Sequence, residues 1–241
     1  MKTYVISLAD SLERRRAAAE QLSQAGVNFE FFDALRCDIR QLVYFSRYDE
    51  REYVLNCGRP AAMGEVGCYA SHKMLWQRCV DDDEPVMIME DDFLLADHFH
   101  EAACHAERLV HEYGYIRLQT ERRATRRLVR HDGQFSLVRY SKVPHSAMCY
   151  VISPSVAARL LRRADVLDAP LDVMVKKNWE HGCQIYGLMP YSVSEHCLSK
   201  DTTIPGRARY KKPVLVSLRR AIRKLVWLAR QRQFGRLMPG D

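Results

Sequence analysis

The sequence predicts an α/β fold, and two stretches carry that prediction. A strand, a helix and a second strand follow one another within the first 33 residues, the order of a βαβ unit with a parallel strand pair and a right-handed crossover. Farther along, Val86-Met87-Ile88-Met89 is an apolar run long enough for a buried strand, and it leads directly into Glu90-Asp91-Asp92. Pro85 just before the run suits a strand's first position. Three carboxylates leaving a buried strand repel one another unless a cation or a basic group lies between them. Open α/β sheets bind ligands at the loop ends of their parallel strands. One reading of the triplet is therefore a divalent cation at the mouth of a nucleotide site; the other is a solvated acidic turn.

A chain of 241 residues can hold one large domain, or a domain with an appendage. Its composition, 47% hydrophobic and 28% charged, is that of a globular protein and excludes a disordered one. Charged residues come too early at the N-terminus for a signal peptide, and no apolar run reaches the length of a membrane span. Eight cysteines are scattered without a C-x-x-C pair, which fits reduced thiols in a cytoplasm better than a disulfide framework or a zinc site. The net charge of +7 is unevenly spread. Residues 207–241 carry eleven Lys or Arg against one acid, while residues 1–206 are close to neutral at −3. Nucleic-acid binding normally spreads basic surface over a domain, so the charge in this tail points instead to an anionic surface met from one end.

Taken in order, residues 2–8 read as the first strand. Asp10 and Glu13 have capping-box spacing for a helix that ends at Gly26, and residues 27–32 form an aromatic second strand closing at Asp33. No glycine-rich phosphate loop separates strand from helix, so a nucleotide bound here would be held by side chains, with Arg14 and Arg15 in place for that. Residues 34–63 read as a variable connection. A helix opens at Gly64-Glu65-Val66-Gly67-Cys68, with Ser71 and His72 on a flank near its start. Residues 98–113 read as a helix and 115–119 as a strand. Arg122, Arg123, Arg126, Arg127 and Arg130 then read as an exposed loop or a solvated helix face, or as a grip on an anionic acceptor. Residues 148–152 form another buried strand, Pro154 starts the next helix, and Asp172 lies near the start of a short one. Beyond Pro213, apolar and basic residues alternate at helical spacing. That pattern is a basic amphipathic helix suited to an anionic leaflet, or a terminal helix that docks its apolar stripe on the domain.

Several of these stretches, in this order, resemble glycosyltransferase family 25. They are Tyr4-Val5-Ile6-Ser7-Leu8 with Glu13-Arg14-Arg15, Phe31-Phe32-Asp33-Ala34, Gly64-Glu65-Val66-Gly67-Cys68 with Ser71-His72, and Met87-Ile88-Met89-Glu90-Asp91-Asp92. Tyr150-Val151-Ile152-Ser153, Pro170-Leu171-Asp172 and Asp201-Thr202-Thr203-Ile204 are similar to the family's later blocks. Ser7 stands where the family usually has Asn, and residues 145–149 lack the glycines often found there.

The resemblance implies a GT-A-like fold, with a mostly parallel central sheet flanked by helices, over residues 1–206. The charge and helical spacing of residues 207–241 lead us to expect a basic C-terminal segment that meets the membrane through residues 214–232. The resemblance also implies transfer of a hexose, most often galactose from UDP-galactose with inversion, to a lipopolysaccharide or lipooligosaccharide core acceptor. Such an enzyme works at the inner face of the cytoplasmic membrane, with Mn²⁺ or Mg²⁺ as cofactor. On this basis Glu90 and Asp92 are the expected metal ligands, since alternate residues of an extended chain point the same way. Arg14, Asp33, Ser71, His72 and Asp91 are expected to line the donor. Asp172 is the candidate base, with Glu65 in reserve. Two other classes are compatible with parts of the sequence: a non-catalytic membrane or nucleic-acid binder using the basic tail, and a metal-dependent phosphohydrolase using the same carboxylates.

Overall fold

The computed structural model describes residues 1–37, 44–121, 124–196 and 214–237. Arg122, Arg123 and the 201–204 block lie outside them. The first βαβ unit is β1 (Lys2–Ser7), α1 (Leu12–Gln24) and β2 (Glu30–Asp33). Gly26 ends the turn after α1 at φ +66°, but the expected capping box does not form: Asp10 pairs with Arg36 instead. The connection after β2 holds more structure than its weak periodicity suggested, namely β3 (Arg47–Tyr48) and α2 (Glu50–Cys57). Then come α3 (Met63–Asp81), β4 (Val86–Glu90), β5 (Phe93–Leu95), α4 (Phe99–Tyr113) and β6 (Tyr115–Arg117). The second half contains β7 (Thr125–Asp132), β8 (Phe135–Lys142), β9 (Cys149–Ile152), α5 (Pro154–Arg163), β10 (Val166–Leu167), α6 (Leu171–Lys176), α7 (Asn178–His181), β11 (Tyr186–Met189), β12 (Val193–Glu195) and α8 (Val214–Leu237).

Eight strands form the main sheet in the order β2-β1-β4-β9-β6-β11-β8-β7. It is a mixed sheet, which corrects the expectation of a mostly parallel one. The pairs β1/β2, β1/β4 and β6/β11 are parallel. β9 lies antiparallel between β4 and β6, and β8 runs antiparallel to both β11 and β7. The second correction follows from the hairpin: Arg126, Arg127 and Arg130 lie on β7, neither in a loop nor on a helix. The hairpin turns at Gly133, with φ +63°, and leaves β7 as an edge strand whose charged side chains discourage further pairing.

Strand alternation distributes the apolar side chains between two cores, one on each face of the sheet. Val86 and Ile88 of β4 pack with Tyr4, Leu75, Trp76, Tyr150 and Leu160 beneath α3 and α5. Met87 and Met89 pack with Val5, Leu22, Phe99 and Ala106 beneath α1 and α4. With both faces covered, β4 needs no polar side, which explains its uninterrupted apolar run.

α8 packs along α2 and α7 with an unusual choice of face. Its inward stripe is Arg220, Arg223, Trp227 and Gln231. Arg223 binds the Glu52 carboxylate and Asn56 Oδ1, and Trp227 rests against Trp179 at a ring separation of 6.2 Å. Leu215, Leu218, Ile222, Leu225 and Leu228 face outward, each at least 45% exposed.

Candidate active site

The carboxylate triplet sits where three parallel strands end together. Register pairs Ser7 with Asp33 and Ile6 with Glu90, so the C-terminal ends of β2, β1 and β4 lie side by side. At this edge Asp91 is turned toward the β1–α1 connection: Ser7 Oγ donates to its Oδ2 at 2.5 Å and Arg14 to its Oδ1 at 3.1 Å. Ser7 thus makes a direct contact with the triplet. Arg15 donates to the carbonyls of Ser7 and Leu8 and pairs with the exposed Asp33 carboxylate.

Asp92 has a different environment. Burial first, and then the charges of Glu90 and Asp91, push its pKa up to about 6. Its Oδ1 is buried with no hydrogen-bond partner among the described residues. The backbone N–H of His196 donates to its carbonyl, continuing the β5/β12 pairing. Glu90 is half-buried, and its Oε1 lies 3.5 Å from His72 Nε2 and 3.9 Å from Cys68 Sγ.

Beside the strand ends a cleft of about 300 Å³ is lined by Cys68, Glu90, His145, Ser146, Pro170 and Asp172, among others. Asp172 lies in the first turn of α6 and accepts a hydrogen bond from His145 Nδ1 at 3.0 Å. Burial alone would raise its pKa. The hydrogen bond and charge of His145, with the backbone N–H groups of Val173 and Ser146, outweigh that and hold it below the usual carboxylate value. The loop carrying His145 is pinned from beneath. Arg117 is fully buried and donates to the carbonyls of Pro144, His145 and Ser146. Gln119 donates to Ser146 Oγ and accepts from the Cys149 N–H.

The remaining expected site residues have structural partners. Glu65 is engaged by both terminal nitrogens of Arg59, by Tyr53 Oη at 3.1 Å and by the Ala62 N–H at 3.2 Å, which ties the start of α3 to α2. Ser71 is fully buried; it donates to the Gly67 carbonyl and accepts from the Leu35 N–H at 2.9 Å. A Cβ on Gly67 would lie 2.1 Å from the Leu35 carbonyl oxygen, so only glycine lets the chain after β2 lie this close to α3. His72 is fully buried, stacked on Tyr150 and bonded to its hydroxyl at 2.8 Å.

Sequence reasoning therefore named residues on both sides of the cleft but missed Cys68, Arg117, Gln119 and His145. Arg117 had a legible signal: an arginine inside the apolar run Tyr115-Ile116-Arg117-Leu118 must find buried acceptors. Cys68 had one too, its i,i+4 spacing from His72 on an expected helix; Gln119 and His145 had none, because their roles depend on contacts between distant segments.

Most of the chain matches one family of known proteins. The model of glycosyltransferase family 25, described as an LPS biosynthesis protein family, matches residues 1–175. The lipooligosaccharide biosynthesis protein lic2B of Haemophilus influenzae is 37% identical over 98 residues, 39% of this chain and 34% of that protein. The lacto-N-neotetraose biosynthesis glycosyltransferase LgtE of Neisseria gonorrhoeae is 34% identical over 102 residues, 40% of this chain and 34% of that protein. A glycosyltransferase 25 family member of Aedes aegypti is 31% identical over 107 residues, 40% of this chain and 17% of that protein. The matched stretch spans about a third of the length of the two bacterial relatives.

Proposed function

Because the chain belongs to glycosyltransferase family 25, we propose that it transfers a hexose from a nucleotide-sugar donor to a lipopolysaccharide or lipooligosaccharide acceptor, with UDP-galactose the favoured donor. The observation that carries this reading is the pairing of two unlike carboxylate environments across one cleft. On the strand-end side Glu90 lines the cleft, and the destabilised Asp92 lies two residues farther along the chain. On the other lies Asp172, kept ionised by His145.

The strand-end residues fit a divalent cation. Asp92 has a buried, unpartnered oxygen and a pKa raised first by burial and then by its acidic neighbours, as expected of a hard oxygen site lacking its counter-charge. Glu90 and Asp92 would hold the ion, Mn²⁺ or Mg²⁺. When bound with the donor, it supplies charge neutralisation for the departing nucleoside diphosphate. Arg14, Asp33 and Asp91 line the nucleotide side in this proposal, and Ser71 and His72 shape it from within the core. Asp172 takes the proton of the acceptor hydroxyl as that oxygen attacks the anomeric carbon. The bond from that carbon to the diphosphate breaks, and the configuration inverts. His145 orients Asp172. Glu65 is less suited to act as a base, because Arg59, Tyr53 and Ala62 already occupy its oxygens.

The acceptor's lipid anchor accords with α8. Among the described residues no helix is long and apolar enough to cross a membrane. The outward Leu/Ile stripe of α8 is flanked by exposed Arg219, Lys224, Arg230 and Arg232, and we assign it to the surface of an anionic leaflet. Each basic residue there contributes about 1 kcal/mol. Lys176, beside His145, has its pKa lowered by burial and then by the charges of Lys142 and, more weakly, Lys224 of this helix.

The test is a transfer assay. Purified protein with UDP-galactose, Mn²⁺ and a truncated lipooligosaccharide should release UDP and extend the acceptor. Undiminished turnover in excess chelator would refute the metal assignment, and release of inorganic phosphate without UDP would favour a phosphohydrolase.

A further inference from the structure

We propose that Cys68, His72 and Glu90 form a second cation site, selective for a borderline-soft divalent ion such as Zn²⁺ and distinct from the oxygen site of Glu90 and Asp92. Cys68 and His72 are four residues apart on α3, so both project from the same helix face toward the end of β4. Their sulfur and nitrogen lie within 4.8 Å of each other and of a Glu90 oxygen.

The spacing is close to that of a coordination shell. Zinc takes sulfur at about 2.3 Å and nitrogen or oxygen at about 2.0 Å, so tetrahedral angles place S and O about 3.5 Å apart and N and O about 3.3 Å apart. The separations here are 3.9 Å for Cys68 Sγ to Glu90 Oε1 and 3.5 Å for His72 Nε2 to the same oxygen. Each of these two edges exceeds the ideal value by a few tenths of an ångström, and the third, Cys68 Sγ to His72 Nε2, lies within 4.8 Å, so the Cys68 thiol must turn further toward the ring to close the site.

Two further features point to an ion. His72 is fully buried, and its Nε2, aimed into the cluster, has no hydrogen-bond partner among the described residues. Its other nitrogen is held by Tyr150 Oη at 2.8 Å, and Trp76 Nε1 donates to that same oxygen at 2.8 Å. This is the outer support that orients a metal-binding imidazole; with an ion on Nε2, Nδ1 carries the proton and donates to Tyr150. Cys68 and Glu90 both line the cleft, which leaves a fourth position open to water or substrate. A thiolate, imidazole and carboxylate set favours Zn²⁺ or Co²⁺ over Mg²⁺ or Mn²⁺. Binding displaces the Cys68 thiol proton, so one proton leaves as one ion enters.

Glu90 is common to both cation sites. Zinc in the cysteine site would withdraw it from the donor side and inhibit transfer. This consequence rests on the proposed function, whereas the binding itself does not.

The full chain, stripped of metal with a chelator, is titrated with Co²⁺ and then Zn²⁺. The expected result is one Co²⁺ per chain with a thiolate-to-cobalt charge-transfer band and the visible spectrum of a tetrahedral ion, both bleached by Zn²⁺. Cys68→Ser should abolish the band, and Glu90→Gln should weaken binding at least tenfold, with circular dichroism confirming that both variants are folded. No thiolate band, or a band that survives in Cys68→Ser, overturns the site. Zinc should also inhibit Mn²⁺-dependent transfer by the wild type but not by Cys68→Ser; inhibition that is equal in the two, or absent from both, overturns the competition. If the cobalt signature appears while UDP and Mn²⁺ fail to stabilise the protein, the cation site stands and the proposed function falls.

Discussion

Asp92→Asn should stabilise this protein while disabling it. In the folded chain the Asp92 carboxylate is raised from 3.8 to about 6, first by burial and then by Glu90 and Asp91. The folded state therefore holds this proton more tightly than the unfolded state does. Below pH ~4 both states are protonated and there is no penalty. Between ~4 and ~6 the unfolded state ionises first, so stability falls as pH rises, and the loss is complete above ~6. The shift corresponds to about 3 kcal/mol. Asparagine keeps the shape and removes the charge. At pH 7.5 the variant should be more stable by up to about 3 kcal/mol, which for a chain of this size raises Tm by roughly 6–12 °C. Near pH 4 the difference should vanish. The assay is thermal unfolding from pH 4 to 8, with and without Mn²⁺ and UDP. Ligands that bind only the native state raise wild-type Tm according to occupancy, and this increment should be absent from the variant. A variant less stable than wild type throughout, or one with the wild-type pH profile, refutes an unbalanced charge at Asp92. A variant that still responds to Mn²⁺ with UDP refutes the metal assignment.

Four other perturbations separate catalytic, structural and membrane-binding roles. Asp172→Asn should lower kcat by about 10²–10⁴-fold, as expected for loss of a general base, and should also lower Tm at neutral pH, where the ionised carboxylate held by His145 favours the folded state. In the wild type, His145 holds Asp172 ionised below the usual carboxylate range. With saturating Mn²⁺ to hold Asp92 ionised, the acidic limb of the kcat profile should lie below the usual carboxylate range, and His145→Ala, which leaves only the Val173 and Ser146 N–H groups against burial, should move it upward. An unmoved limb would remove His145 from the mechanism. Glu65→Gln breaks the buried pair with Arg59 and should cost about 3–5 kcal/mol in chemical denaturation. A fully stable but inactive variant would return Glu65 to the chemistry. Replacing both Leu218 and Leu225 by Glu on the outward face of α8 should abolish co-sedimentation with anionic vesicles and leave turnover on a soluble acceptor unchanged. Unchanged co-sedimentation would refute the membrane assignment.

How much of the site was legible depended on how local each signal was. The run Val86-Met87-Ile88-Met89 marked β4, because a strand covered on both faces needs no polar positions. The carboxylates at its end were legible because like charges in succession demand a partner. Asp172 was placed near the start of a short helix by Pro170, and α6 starts at Leu171. The direction of the strands was harder to read. β9 has the same buried composition whether it runs parallel or antiparallel, and only the path of the chain through the β7–β8 hairpin places it antiparallel between β4 and β6. The arginines of β7 carried a misleading signal, since an exposed edge strand and a solvated helix face are equally charged.

By itself, then, the sequence determined the α/β class, the first crossover, the central strand and the acid cluster at its end, each set by neighbours within a few residues. Tertiary structure alone decided how the three carboxylates divide their surroundings. Ser7 and Arg14 come from 84 and 77 residues away to engage Asp91, while burial leaves Asp92 unpaired. It likewise turned the polar stripe of α8 inward, because Glu52 and Asn56 on α2 offered Arg223 partners that no local pattern announces. Contacts across such separations depend on which segments the fold brings together, and that information is spread over the whole chain rather than written in any one stretch of it.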